Sequence, residues 1–211
     1  MTKLTWLVGV AALAIWFGNP SLHAGHEVGD SKAIHISPAP SPFEKGTFEL
    51  QVLAGGFFSV GHQPELDYAI GTIRGGWMLS TPSGDGFFRG NVEFLVEAFG
   101  GGIFEGPGDA LAGATLLLRY NFVQPDASVV PYIQIGGGGV YSDAHEDESQ
   151  RLIGSAVSFN LQASLGLRFF VNEQCAIVVE GGYRHISNAD IDDRNVGVNS
   201  IGGNIGVSYF Y

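Results

Sequence analysis

From Thr47 onward, apolar and polar side chains alternate in eight segments. A period of two marks β-strands, because successive side chains point to opposite faces. The pattern predicts strands at Thr47–His62, Leu66–Ser80, Phe87–Phe99, Ala112–Phe122, Val130–Ser142 and Leu152–Phe170. A seventh runs from Cys175 to about Asn188, and an eighth is Asn199–Tyr211. In the sixth, Val157, Phe159, Leu161, Ala163, Leu165, Leu167 and Phe169 share one face, opposite Ser158, Asn160, Gln162, Ser164 and Arg168. Crossing a bilayer takes about 9–11 tilted residues, whereas soluble strands peak at about 5–6. These segments, 11 to 19 residues long, suffice to cross and exceed the soluble norm. The polar faces carry both signs of charge (Arg74, Arg89, Glu93, Glu97, Arg119, Arg168, Glu180, Arg184). Inside a closed barrel of eight strands they would pair with one another rather than line a pore. The pattern therefore predicts an all-β protein, an eight-stranded antiparallel transmembrane β-barrel over residues 47–211.

The connections support this and set an orientation. Short ones follow the second, fourth and sixth strands (Thr81–Gly86, Val123–Ser128, Val171–Gln174). Longer ones follow the third, fifth and seventh (Gly100–Leu111, Asp143–Arg151, Asp190–Val198), with Gln63-Pro64-Glu65 an exception. Outer-membrane barrels have short periplasmic turns and longer outer loops, so the seventh strand is expected to end at the outer rim. The closing Phe210-Tyr211 resembles the terminal aromatic signal of bacterial outer-membrane barrels.

Ahead of the strands, Met1-Thr2-Lys3, an apolar run from Leu4 to Phe17 and Leu22-His23-Ala24 predict a secretory signal peptide over residues 1–24. Residues 25–46 hold Pro38, Pro40 and Pro42 without periodicity and are expected to form a flexible periplasmic lead-in. Composition narrows the function classes. The formal net charge of −11 argues against a nucleic-acid partner, which needs a basic patch. A single cysteine, Cys175, excludes an internal disulfide and a cysteine-cluster metal site. No cofactor or metal is expected. The acidic runs Asp143–Glu148 and Asp190–Asp193 read as solvated loops, because the glycine and spacing of a calcium loop are missing. Trp77, Tyr120, Tyr132 and Tyr141 read as interfacial belt residues. Gly136–Gly139 fall inside a strand, not between a strand and a helix, which argues against a phosphate-binding loop.

Candidate chemistry sits on the seventh strand, in Tyr183-Arg184-His185-Ile186-Ser187-Asn188-Ala189. Cys175, Ile177, Val179, Gly181 and Tyr183 lead along one face to His185 and Ser187. A serine becomes a nucleophile when a histidine removes its proton, and a third polar group orients that base. Asn199 has the parity to supply it. A hairpin centred on Asp193 would set Asn199 opposite Ser187 and diagonal to His185, roughly 5–8 Å away.

Arg184-His185-Ile186-Ser187-Asn188-Ala189, followed by Asn195-x-Gly197 and a final strand, resembles the lipid A 3-O-deacylase (PagL-type) family. The resemblance is sharp over Glu180–Tyr211 and architectural elsewhere. It implies a bacterial outer-membrane esterase, monomeric or homodimeric, that takes lipid A of lipopolysaccharide as substrate. Such an enzyme removes the 3-hydroxyacyl chain at the 3 position, with its active site in the outer leaflet. It implies Ser187 as nucleophile, His185 as general base and Asn188 in oxyanion stabilisation. By alternation, however, the Asn188 side chain points inward, so it would need a local bulge, or its backbone N–H would do the work. The family's third member is a Glu fourteen residues after the His, and this chain has Asn199 there. An Asn oxygen still accepts from the imidazole but adds no charge; Asp190, Asp192 or Asp193 are the other candidates. The alternative is a non-enzymatic small barrel with a structural or adhesive role. A third reading is a soluble periplasmic lipid-binding barrel.

Overall fold

The computed structural model describes residues 41–61 and 65–211. The expected signal peptide and most of the expected lead-in lie outside the described residues. Eight strands follow one another: β1 Phe48–Ser59, β2 Asp67–Met78, β3 Asn91–Glu105, β4 Ala110–Asn121, β5 Val129–Ser142, β6 Val157–Phe170, β7 Cys175–Ser187 and β8 Val198–Phe210. Each pairs antiparallel with its neighbours in sequence, and β1 pairs with β8 to close the barrel. Closure leaves no unpaired strand edge, the condition for a sheet in hydrocarbon.

The outward face is a continuous apolar surface. Val52, Ile73, Leu116, Ile135, Leu165 and Ile205 are each at least half exposed, one from each of six strands. That surface suits lipid rather than water. The inward face is ionic. Arg74 donates to Glu97 at 2.7 Å and to Glu180 at 2.8 Å, and Arg184 donates to Glu97 at 3.0 Å. A second group joins Arg119 to Glu49 and Glu93 at 3.1 and 3.3 Å, and Arg168 to the same two acids at 2.6 and 2.9 Å. Each group holds two guanidinium and two carboxylate groups, so each is neutral. Gln51 and Gln134 link them by hydrogen bonds, and Tyr132 does so with its hydroxyl on Glu180 and its ring against Arg119 and Arg168. Burying such charges is tolerable only with partners of this quality.

Apolar clusters close both ends. One contains Phe57, Tyr68, Phe99, Leu152, Ile153, Ile186 and Val198. The other contains Phe43, Met78, Val123, Val130 and Phe210.

Several expectations change. Tyr132 is not an interfacial residue: it points into the barrel, 1% exposed, with the Arg119 and Arg168 guanidinium groups 4.3 and 4.9 Å from its ring. Arg89 lies outside the ionic interior, after a 3-10 turn at Gly86–Phe88, and donates to the Val123 carbonyl. Glu49 takes a place in the network instead. Gly100–Gly102 continue β3 rather than open a loop, so the β3–β4 connection is only residues 106–109. A Cβ on Gly101 would fall 1.8 Å from the Ala69 carbonyl oxygen, so glycine here admits the neighbouring strand. The β2–β3 connection, residues 79–90, is correspondingly longer than expected. Phe43, within the expected lead-in, is buried, and its carbonyl accepts from Asn91 at 2.8 Å.

Candidate functional site

Strand β7 presents the site by its alternation. Arg184 and Ile186 face inward, the first in the ion network and the second in the apolar end cluster. This fixes His185 and Ser187 on the outward face, half-buried. Phe159 and Leu161 of β6 stand opposite Ser187 and His185, both more than half exposed, and make the approach to the site apolar.

Asn199 pairs directly with His185 across β7 and β8. Its Oδ1 lies 2.8 Å from His185 Nδ1, and His185 Nε2 lies 3.0 Å from Ser187 Oγ. A carbonyl oxygen only accepts, so Nδ1 carries the proton and Nε2 offers its lone pair to the Ser187 hydroxyl. That is the tautomer a base needs in order to activate a serine. The hairpin expected from spacing sets Asn199 opposite Ser187, two residues from its actual partner. The difference arises in the 188–197 connection. The N–H groups of Val196 and Gly197 bond to the carbonyls of Arg151 and Leu152, so this arm pairs with the β5–β6 loop rather than with β7. Pairing with β7 begins at Val198. Arg194 ties the same two loops through the carbonyls of His145, Asp147 and Gly154, at 3.0–3.3 Å.

Asn188 is buried under this loop. Its N–H donates to Asn195 Oδ1 at 2.8 Å, and its side-chain amide donates to the carbonyls of Asp192 and Arg194 at 3.4 and 3.3 Å. Ala189 and Asp190 then turn the chain at φ +53° and +62°, unusual for residues with a Cβ. Asp192 accepts from the Arg194 N–H, and Asp190 from the Asn195 amide, so these acids organise the loop. Asp147 accepts from the Ser149 hydroxyl and N–H, which holds its carboxyl below the ordinary range. Among the described residues, Glu65, Asp67 and Glu105 form one acidic group, with ligand atoms within 4.8 Å of one another, and Asp67 accepts from the Ser59 N–H.

Two residues at the site carried little signal in sequence. Tyr183 reads as one more aromatic on the outward face, yet its hydroxyl donates to Asn199 Oδ1 at 2.5 Å. Gly197 has φ +76°, and a Cβ there would lie 3.1 Å from the Ile186 oxygen, 3.4 Å from His185 Cε1 and 3.5 Å from Ser187 Cβ. Gly197→Ala is expected to destabilise the protein by about 1–2 kcal/mol, the cost of a left-handed residue with a Cβ. Urea unfolding in micelles would measure it, and an unchanged midpoint would refute the strain.

The family model for lipid A 3-O-deacylase (PagL) matches residues 71–208, which include His185, Ser187, Asn188 and Asn199. The chain belongs to this family. Members of the lipid A 3-O-deacylase family act on lipid A, and the barrel fits that setting. The crystal structure of the outer-membrane enzyme PagL is similar over 75% of this chain and 97% of that one, at 19% identity and a TM-score of 0.51. Neisserial surface protein A is similar over 79% of this chain and all of that one, at 15% identity and a TM-score of 0.57. At these identities the likeness is one of fold, and both enzyme and surface-protein barrels share it. No curated protein matches the sequence. Fold and family together make this deacylase-family chain an outer-membrane β-barrel.

Proposed function

We propose that this protein is an outer-membrane serine esterase that removes the ester-linked 3-hydroxyacyl chain at the 3 position of lipid A. The observation that carries the reading is the hydrogen-bonded line Asn199–His185–Ser187 on an apolar outward face. Water-soluble esters do not need such a setting, whereas an acyl chain already in the bilayer reaches it by lateral diffusion. The site belongs in the outer leaflet, beside the long 143–156 and 188–197 connections.

In this mechanism Ser187 Oγ attacks the ester carbonyl as its proton passes to His185 Nε2. The imidazolium keeps its Nδ1 hydrogen bond to Asn199. Collapse of the tetrahedral intermediate breaks the bond to the sugar oxygen, and His185 returns the proton to that leaving alcohol. Water, deprotonated by His185, then releases the hydroxy acid and restores Ser187. The oxyanion role falls to Asn188. Its N–H and its side-chain amide are both engaged by the 188–197 loop, so one of these bonds must be exchanged for the oxyanion, the backbone N–H being the donor nearer the outward face.

Asn199 orients the imidazole without stabilising its charge. Asn199→Glu is therefore expected to keep kcat or raise it. A complete loss in a folded variant would remove position 199 from the account. The reading itself is tested with a fluorophosphonate probe. Ser187 should label, and His185→Gln should slow labelling by about 10²-fold or more. A folded protein that leaves Ser187 unlabelled would favour a non-enzymatic surface barrel.

A further inference from the structure

Tyr183 precedes His185 by two residues on β7, so both side chains leave the same face. The register sets Tyr183 opposite Ile201 and His185 opposite Asn199, which places Tyr183 diagonal to Asn199. A diagonal neighbour is within reach of an aromatic side chain. Its hydroxyl meets Asn199 Oδ1 at 2.5 Å, its one hydrogen bond among the described residues. That oxygen also accepts from His185 Nδ1 at 2.8 Å, so two donors converge on it.

An asparagine amide has two ends of nearly equal shape. Turned over, its NH2 would face His185 Nδ1 and donate to it. The imidazole proton would then sit on Nε2, aimed at Ser187 Oγ, and the base would be lost. A carboxylate has no wrong end; an amide must be held. With Oδ1 toward His185, the tyrosine O–H and the imidazole N–H both donate to the same carbonyl oxygen, and that shared acceptor favours this end of the amide.

We propose that Tyr183 is a positioning residue: its hydroxyl holds the Asn199 amide with Oδ1 toward His185, and so keeps the imidazole proton on Nδ1 and the Nε2 lone pair on Ser187. The inference rests on the reading of Ser187 and His185 as nucleophile and base. The competing role is that of an aromatic anchor at the membrane interface, which Tyr183, 41% exposed, is also placed to fill. The two differ in whether the effect depends on residue 199.

The test joins a tautomer measurement to a double-mutant cycle. Nitrogen-15 NMR of histidine-labelled protein in micelles, with His185 assigned from the His185→Gln spectrum, reads the tautomer directly. The wild type should show the Nδ1–H form. Tyr183→Phe should bring the Nε2–H form to a comparable population and lower kcat on lipid A about tenfold, with KM within about twofold. With Asn199→Glu in place, Tyr183→Phe should change either readout by less than about twofold. An unchanged tautomer ratio in Tyr183→Phe would overturn the proposal, as would an equal loss of kcat in both backgrounds. If the wild type hydrolyses no lipid A, the esterase reading fails, and the tautomer ratio alone still decides for or against the role of Tyr183.

Discussion

Ser187→Ala is expected to lower lipid A hydrolysis by about 10³-fold or more while leaving the barrel folded. The substitution removes one oxygen from the outward end of β7. It leaves the pairing of residue 187 with Phe159 intact and costs one hydrogen bond, to His185 Nε2 at 3.0 Å. Such a loss is small against the stability of a closed sheet, so folding and activity should separate. His185→Gln should fall by a similar factor and add little on top of Ser187→Ala, because the two act as one unit. Initial rates on purified lipid A in mixed micelles would measure this. Retention of most activity by folded Ser187→Ala would place the nucleophile elsewhere.

The second large effect concerns the interior. Arg168→Met is expected to destabilise the barrel by about 3–5 kcal/mol, the usual consequence of removing one partner from a buried ionic set. Arg168 is fully buried and donates to Glu49 at 2.6 and 2.9 Å, to Glu93 at 2.9 Å and to Asn121 at 2.5 Å. Without it, Glu49 and Glu93 share only Arg119. Pairing Arg168→Met with Glu93→Gln leaves one acid to one Arg and should recover part of the loss. Urea unfolding in micelles decides the matter. A single variant as stable as the wild type would mean that the network contributes far less than its geometry implies.

The barrel was legible in sequence for a physical reason: lipid outside and ions inside impose opposite demands on alternate residues, and every strand records them. Residue type and parity conflict at Tyr132: tyrosine is common at membrane interfaces, but this one has the inward parity of Val130 and Gln134, and parity wins. Gly100–Gly102 read as a break because glycine weakens isolated strands; here it allows two backbones to meet. Phe43 gave no signal, since a single apolar residue among prolines has no period.

The site was legible in part. His185 and Ser187 share a face by spacing alone, and the structure brings them within hydrogen-bond distance. The register of Asn199 was not legible, because it depends on contacts of the 188–197 connection with the β5–β6 loop, far apart in sequence. The part played by Tyr183 depends on that same register, which brings its hydroxyl to Asn199 Oδ1.

The most direct test of the account is mass spectrometry of lipid A incubated with the refolded protein. The account predicts a product lighter by one 3-hydroxyacyl group, with the ester at the 3 position gone and the other chains kept. Lipid A left unchanged by a demonstrably folded barrel would contradict it and leave a surface protein built on the family's fold.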